Sequence, residues 1–247
     1  MNTNNKRKTL IFGHRGASSD APENTLKAFN KAIELEAEYI EFDVHQSKDG
    51  EIVITHDGNT LRTTGHFGLI KKMTLAELKE LDFGEGEKIL TLQELIEVAK
   101  GKVGLNCEIK ARGFAEKIIK ILDEADIVET TIISSFKHDI LLKIRELDSR
   151  IKLASLEPTR TGWIVSGLLR KKMIKFAIEN KFYAIHPFYK FVNLKFVQKA
   201  HKNNIKVFPW TVNSDSTIKR LIKIGVDGLI VNNISKAKAI LRQFYSD

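Results

Sequence analysis

The sequence predicts an α/β fold, a (β/α)8 TIM barrel, on three observations. Short apolar runs alternate with amphipathic stretches along the chain, the pattern of a parallel sheet with helical crossovers. Eight such units fit within 247 residues, the usual length of a closed barrel. No glycine-rich dinucleotide loop follows the first run, which disfavours a doubly wound open sheet.

The strand-like runs are 10–14, 39–45, 104–109, 131–135, 151–156, 183–187, 206–211 and 228–232. Helical apolar spacing marks Asn24 to Leu35, with Asn24 as a plausible cap after Pro22, and Phe114 to Ala125 and His138 to Leu147. Leu194 to Asn203 and Ser216 to Ile224 follow the same spacing. Two places break the alternation. The gap between Asp43 and His56 is shorter than the dozen or so residues a helical crossover needs, and it contains Asp49-Gly50, a strong hairpin signal. A two-residue loop there faces Lys48 with Glu51 and sets Asp43 opposite His56. The run 52–56 is then an extra antiparallel strand. Residues 58–102 are too long for an ordinary barrel loop and hold two Thr-x-x-Glu capping boxes, Thr74…Glu77 and Thr91…Glu94. They are expected to form a small inserted subdomain on the active-site face, covering part of the barrel mouth.

Composition narrows the class. With 43% hydrophobic and 29% charged residues, the chain is globular and long enough for a substantial core. Its single cysteine, Cys107, lies in an apolar run and reads as packing, with no disulfide framework within one chain. No apolar stretch follows Met1 to Lys8 before the first strand, and Trp163 to Leu169 is too short to span a bilayer. One catalytic domain over residues 1–247, soluble and cytoplasmic, is therefore expected. The net charge of +9 is uneven: residues 1–149 carry 21 Lys and Arg against 26 Asp and Glu, residues 150–247 carry 19 against 5. A basic half suits an anionic substrate, an anionic membrane surface, or simply a solvated lysine-rich face. No nucleic-acid motif or basic–aromatic array is present, so nucleic acid is not an expected partner.

Polar groups gather at one end of the runs. His14, Glu41, Asp43, Glu108 and Lys110 all fall near C-terminal strand ends, as do Phe136 and Trp210, and barrel active sites lie at that face. Charge inside an apolar strand is costly unless paired or bound to metal. Residues two apart share a strand face, so Glu41 projects with Asp43 and Glu108 with Lys110. Clustered carboxylates make a site for a hard cation, Mg²⁺ or Ca²⁺, and His14 with His56 can act as general acid and base.

Together His14-Arg15-Gly16, Pro22-Glu23-Asn24-Thr25, Glu41-Phe42-Asp43-Val44, Lys48-Asp49-Gly50, Val53-Ile54-Thr55-His56-Asp57, Glu108-Ile109-Lys110, Ser134-Ser135-Phe136, Trp210-Thr211-Val212-Asn213 and Gly225-Val226-Asp227-Gly228 resemble the glycerophosphodiester phosphodiesterase family. The likeness covers nearly the whole chain. The resemblance implies a barrel with a small insert, a bound divalent cation, and hydrolysis of glycerophosphodiesters to an alcohol and glycerol 3-phosphate. It places His14 and His56 as the acid/base pair and Glu41, Asp43 and Glu108 as metal ligands. It places Arg15 and Lys110 around the phosphate and Phe136 and Trp210 as pocket walls. After Gly228 the family usually shows Thr-Asp-x-Pro; here Asn232 stands at the aspartate and Ile234 at the proline, a departure that bears on local barrel closure and the last loop. His45, His66, His138, His186 and His201 read as non-catalytic. The competing readings are a phospholipase D-like enzyme acting on lysophospholipids and a non-catalytic barrel that binds phosphate ligands. The chain does not disclose its oligomeric state.

Trp163, Ile164, Val165, Leu168 and Leu169 precede Arg170-Lys171-Lys172, an apolar stretch beside a basic cluster that suits weak contact with an anionic membrane surface. Flotation with anionic vesicles checks this: salt-sensitive binding lost on Trp163→Ala with Arg170→Glu is expected, and no binding at low salt would leave a plain buried barrel helix.

Overall fold

The computed structural model describes residues 8–159 and 167–246; Trp163, Ile164 and Val165 lie outside the described residues. The strands are β1 (Leu10–His14), β2 (Tyr39–Gln46), β3 (Ile52–Ile54), β4 (Leu90–Thr91), β5 (Gly104–Ile109), β6 (Thr131–Ser135), β7 (Lys152–Glu157), β8 (Ala184–Pro187), β9 (Lys206–Val207) and β10 (Gly228–Val231). The helices are α1 (Leu26–Glu34), α2 (Leu61–Thr64), α3 (Leu75–Glu80), α4 (Leu92–Ala99), α5 (Ala115–Glu124), α6 (His138–Leu147), α7 (Gly167–Glu179), α8 (Leu194–Lys202), α9 (Asp215–Lys223) and α10 (Ile234–Ser246). The chain is a TIM barrel. Parallel pairing runs β10-β1-β2-β5-β6-β7-β8-β9. Backbone bonds from Asp227 N to Val207 O (3.1 Å), Ile230 N to Pro209 O (3.0 Å) and Val212 N to Ile230 O (2.9 Å) join the two ends. Closure thus survives the Asn232-Asn233-Ile234 departure. β9 is shorter than the expected run 206–211 because Pro209 has no N–H to give to the ladder.

Alternation along each strand divides the molecule into two environments. Ile40, Phe42 and Val44 of β2, with Cys107 and Ile109 of β5, face outward into the core shared with the helices, so the strands read as nearly continuous apolar runs. Inside, Phe12, Ile132, Ala154, Ala184, Phe208 and Ile230 pack together and plug the lower half. Phe12 stacks on Tyr39 at 4.6 Å and leans on Phe208 at 4.7 Å. Gly228 leaves room for those rings, since a Cβ there would stand 2.8 Å from Phe12 and 2.9 Å from Phe208.

Three sequence expectations are corrected. The hairpin pairs Val44 with Ile54 and Gln46 with Ile52, so Asp43 lies opposite Thr55, whose N–H reaches Asp43 O at 3.0 Å, and not opposite His56. Its loop is Lys48-Asp49-Gly50, one residue longer than expected, with Gly50 at φ +89° and its N–H bonded to Ser47 O at 3.1 Å. The cap of α1 is Thr25, whose Oγ1 accepts from Ala28 N at 3.3 Å, and not Asn24. Both expected capping boxes form, but only Thr74 opens an insert helix. α4 buries Leu92, Leu95, Ile96 and Ala99 in the main core, as a member of the helical ring. The insert packs Ile70, Leu78, Phe83 and Ile89 against Val53 of β3 in a separate cluster. No helix among the described residues is long and apolar enough to cross a membrane. The described part of α7 buries Met173, Ile174 and Ala177 and exposes Leu168.

Asp227, just before β10, joins the closing strands: its carboxylate accepts from Val207 N (3.0 Å), Lys206 Nζ (2.9 Å) and His201 Nε2 (2.6 Å). Asp227→Ala strands a buried N–H and is expected to cost about 2–3 kcal/mol. Thermal unfolding should then fall by about 5–10 °C for a domain of this size; an unchanged midpoint would refute the role.

Candidate active site

The strand register assembles the site. Asp43 of β2 lies beside Glu108 of β5, and Glu41 beside Asn106. His14 at the end of β1 lies beside Glu41, and Glu108 beside Ser134 of β6. One oxygen each from Glu41, Asp43 and Glu108 fall within 4.8 Å of one another, and all three residues are buried. Lys110 extends the β5 face, with Nζ 2.6 Å from Glu108 and 3.2 Å from Asp43.

The turn after β1 is shaped to serve these carboxylates. Arg15 and Asn24 both adopt left-handed backbone, φ 57° and 59°, and Asn24 N bonds to Arg15 O at 3.0 Å. That conformation strains an arginine; asparagine adopts it more readily. It lets Arg15 N–H donate to Glu41 at 2.9 Å while Arg15 Nε reaches Asp43 at 3.3 Å. Asn24 Nδ2 donates to Asp43 at 3.0 Å.

Both histidines are held by their Nδ1 atoms. His14 Nδ1 meets Asn232 Oδ1 at 2.8 Å, and Asn232 N–H donates to Asn213 Oδ1 at 3.0 Å. His56 Nδ1 meets Asp57 Oδ1 at 2.7 Å, although His56 lies beyond the paired part of the hairpin. Asp57 also accepts from Arg62 Nε of α2 at 2.6 Å; Arg62 pairs with Glu23 (2.6 Å), and Glu23 with Arg15 (2.9 Å). Phe136 and Trp210 meet edge to face at 5.4 Å at the rim. A cavity of about 100 Å³ is lined by His14, Arg15, Glu41, His56, Glu108 and Lys110, and also by Phe136 and Trp210. Of the site residues expected from sequence, Asp43 alone lies behind this surface, beneath Arg15 and Lys110.

The electrostatics follow from burial and crowding. Burial, then repulsion from Asp43 and Glu108, raises Glu41 well above the ordinary carboxylate range. Burial and Asp43 push Glu108 up to about 7 against the pull of Lys110. Burial also acts upward on Asp43, but Lys110 and Arg15 outweigh it and hold Asp43 below its usual range. His14 is lowered to about 4 by burial and the neighbouring Arg15. Burial lowers His56 too, against the upward pull of Asp43 and Asp57 and with the help of Lys110 and Arg15.

An all-oxygen donor set whose own repulsion a dication would relieve fits a hard cation. Sequence reading missed Asn106 and Ser134, and it took His186 as structural, yet all three line the cavity. Only interior parity at the strand ends could have pointed to them.

The barrel and its site define a divalent-metal-dependent hydrolase. This chain belongs to the glycerophosphoryl diester phosphodiesterase family, whose model matches residues 14–236. A glycerophosphodiester phosphodiesterase of Caldanaerobacter subterraneus is 40% identical over 239 residues, spanning 92% of this chain and 95% of the relative. One from Bacillus altitudinis is 32% identical, spanning 94% of this chain and 98% of the relative. The crystal structure of the Thermotoga maritima glycerophosphodiester phosphodiesterase superimposes with a TM-score of 0.79 at 30% identity, covering 92% of this chain and 96% of that one. An Oleispira antarctica phosphodiesterase in complex with the product sn-glycerol-3-phosphate matches with a TM-score of 0.81 at 29% identity, covering 94% and 96%.

With Glu108 pushed up to about 7 and Glu41 raised above the ordinary carboxylate range, the metal-free carboxylate cluster holds on to protons near neutral pH, and a cation bound there would displace them. Cation binding is therefore expected to expel protons, and affinity to rise from pH 6 to pH 8 by up to about tenfold per pH unit for each proton lost. Calorimetric titrations in buffers of different ionisation enthalpy measure the release; a proton count of zero would contradict the arrangement.

Proposed function

We propose that this chain cleaves glycerophosphodiesters to an alcohol and glycerol 3-phosphate with His14 and His56 as the acid/base pair and Glu41, Asp43 and Glu108 as the cation site. The observation that carries this reading is the convergence of two imidazoles, two carboxylates and two cationic side chains on one small cavity, with Asp43 directly behind it and within 4.8 Å of both carboxylates. Family membership and the product-bound relative support the substrate class.

A phosphodiester is anionic and resists attack. When bound, Mg²⁺ or Ca²⁺ supplies Lewis-acid charge neutralisation at the phosphoryl oxygens. Arg15 and Lys110 add preorganised positive charge at the same place, where no solvent reorganisation is needed. Each histidine has its Nδ1 engaged and keeps Nε2 for proton transfer. The partners differ: Asn232 is a neutral amide, whereas the Asp57 carboxylate favours the protonated ring. Burial lowers both rings, but only His56 has a carboxylate on Nδ1 to stabilise its protonated form, and this favours His14 as the ring that takes the proton of the attacking hydroxyl. His56 gives a proton to the departing alcohol oxygen. By family resemblance the first nucleophile is the glycerol 2-hydroxyl. Its oxygen bonds to phosphorus as the alcohol leaves, and water opens the cyclic ester with the histidine roles reversed.

EDTA should abolish turnover and Mg²⁺ or Ca²⁺ restore it; full activity in a rigorously metal-free preparation would sink the cation assignment. His14→Ala and His56→Ala should each lower turnover by at least about a hundredfold with the fold intact by circular dichroism. A nitrophenyl ester, whose leaving group needs no proton, should rescue His56→Ala far more than His14→Ala. Equal rescue would refute the division of roles. Glycerophosphocholine, glycerophosphoethanolamine and a lysophospholipid, assayed side by side, separate the diesterase from the phospholipase D-like alternative.

A further inference from the structure

Two neighbouring helices of the ring present an outer surface of one sign. The exposed side of α7 is Leu168, Lys171, Lys172 and Lys175, at the i, i+3, i+4, i+7 spacing of a single helix face. The exposed side of α8 opens in the same way, with Leu194 and Lys195 followed by Lys199 and Lys202. Residues 168–178 and 188–202 contain no aspartate or glutamate. Among the described residues, Lys175 alone of these lysines has an ion pair, with Glu179 at 3.4 Å near the far end of α7. Packing does not call for this pattern. Met173, Ile174 and Ala177 of α7, and Phe196, Val197 and Ala200 of α8, already bury the opposite sides.

The two leucines stand at the mouth end of this surface. Leu168 is 64% exposed and Leu194 50%. They flank one junction. Arg170 Nε, two residues past Leu168, donates to Phe191 O at 2.8 Å, and Asn193, just before Leu194, caps α8 by accepting from Phe196 N at 2.9 Å. Arg170 therefore holds α7 to the turn Tyr189–Phe191. That turn leads to the pocket rim: Tyr189 N donates to Trp210 O at 3.0 Å, and the Phe188 ring lies 5.5 Å from Trp210. Lys190 sits over Phe188 at 5.9 Å. Exposed leucines among lysines match a bilayer of anionic lipid, where leucine enters the acyl boundary and lysine stems reach back to the phosphates. Nucleic acid would engage the lysines and leave the leucines without a partner. The reaction gives a second reason. A glycerophosphodiester is a phospholipid stripped of its acyl chains, so its source is a bilayer surface.

We propose that α7 and α8 together dock the barrel on an anionic bilayer, with Leu168 and Leu194 inserted, Lys171, Lys172, Lys190 and Lys195 on the headgroups, and the mouth opening beside the lipid. The contact belongs to two helices rather than to the single stretch around Trp163 that the sequence pointed to. Arg170 serves the junction and not the lipid. Cleavage of a soluble diester does not require the contact.

Flotation of the full chain with vesicles of phosphatidylglycerol mixed with phosphatidylcholine, against phosphatidylcholine alone, tests the docking surface. The wild type should bind the anionic vesicles at low salt, leave them at high salt, and ignore phosphatidylcholine. Lys171→Glu combined with Lys195→Glu should weaken binding by at least about twentyfold, near fivefold for each positive charge removed. Leu168→Asp combined with Leu194→Asp should weaken it by about tenfold or more through lost apolar burial. Lys219→Glu combined with Lys223→Glu makes the same charge change on α9 and should alter binding by less than about fivefold. All six side chains are exposed, and turnover of soluble glycerophosphocholine should persist in each variant, which reports that the fold is intact. A wild type that fails to bind at low salt would overturn the surface. So would an α9 pair as damaging as the lysine pair of α7 and α8, since binding would then follow net charge alone. A leucine pair without effect would overturn it as well, because the face would then hold any polyanion rather than a bilayer.

Discussion

Three carboxylate oxygens within 4.8 Å of one another set the terms for the rest of the molecule. At an effective dielectric constant of about 20, each ionised pair at that spacing repels by roughly 3–4 kcal/mol. The chain answers unevenly. Asp43, the most buried, receives Lys110, Arg15 and Asn24 and stays ionised. Glu41 and Glu108 are left to rise. The strained turn at Arg15 serves the same need, since in its left-handed backbone the residue gives its N–H to Glu41 and its guanidinium to Asp43. A roughly 1–2 kcal/mol conformational cost is small beside the repulsion it offsets.

The barrel makes such a cluster tolerable by separating it from the core. On β2 the residues facing the helices are Ile40, Phe42 and Val44, and those facing inward are Glu41 and Asp43. Below the site Phe12, Phe208 and Tyr39 close the interior with stacked and tilted rings. Water therefore reaches the carboxylates only from the mouth. The low-dielectric floor that raises Glu41 and Glu108 also strengthens every charge–charge contact a phosphate would make there.

Much of this was legible in the sequence, for one physical reason. A parallel strand buried on both faces reads as an apolar run, so charges within it stand out, and period-two parity assigns them a face. Strand positions, the capping boxes at Thr74 and Thr91, and the clustering of Glu41, Asp43 and Glu108 all follow from local pattern. What was not legible depended on one residue of backbone geometry or on distant pairing. The hairpin register slipped because a three-residue loop ending in Gly50 and a two-residue loop look alike in composition. Asn24 resembled a cap because asparagine suits both capping and left-handed backbone, and its burial against Asp43 appears only with the turn in place. The helix at Leu92 belongs to the ring because of what it packs on, which its capping box does not record. Asn106, Ser134 and His186 sit on different strands, and only closure of the barrel brings them to one chamber. Asn232 read as a departure from a family pattern and proves to be the residue that holds His14.

The network at the rim completes the logic of the site. Arg15, Glu23, Arg62, Asp57 and His56 form an alternating row of charges from the turn after β1, across α2 of the insert, to the residue after the hairpin. Arg62 is 49% exposed, so its ion pairs lie in the range where solvent screening leaves at most about 1 kcal/mol each. Stability is therefore a poor account of why they are there. Orientation is a better one. His56 lies outside the paired strand, with no ladder bond to fix it, and its ring direction depends on Asp57. Asp57 in turn is held by an arginine that is itself held by Glu23. Through that row the insert sets the angle of an imidazole over a cavity built by the barrel, so two separately packed parts of the chain share one site.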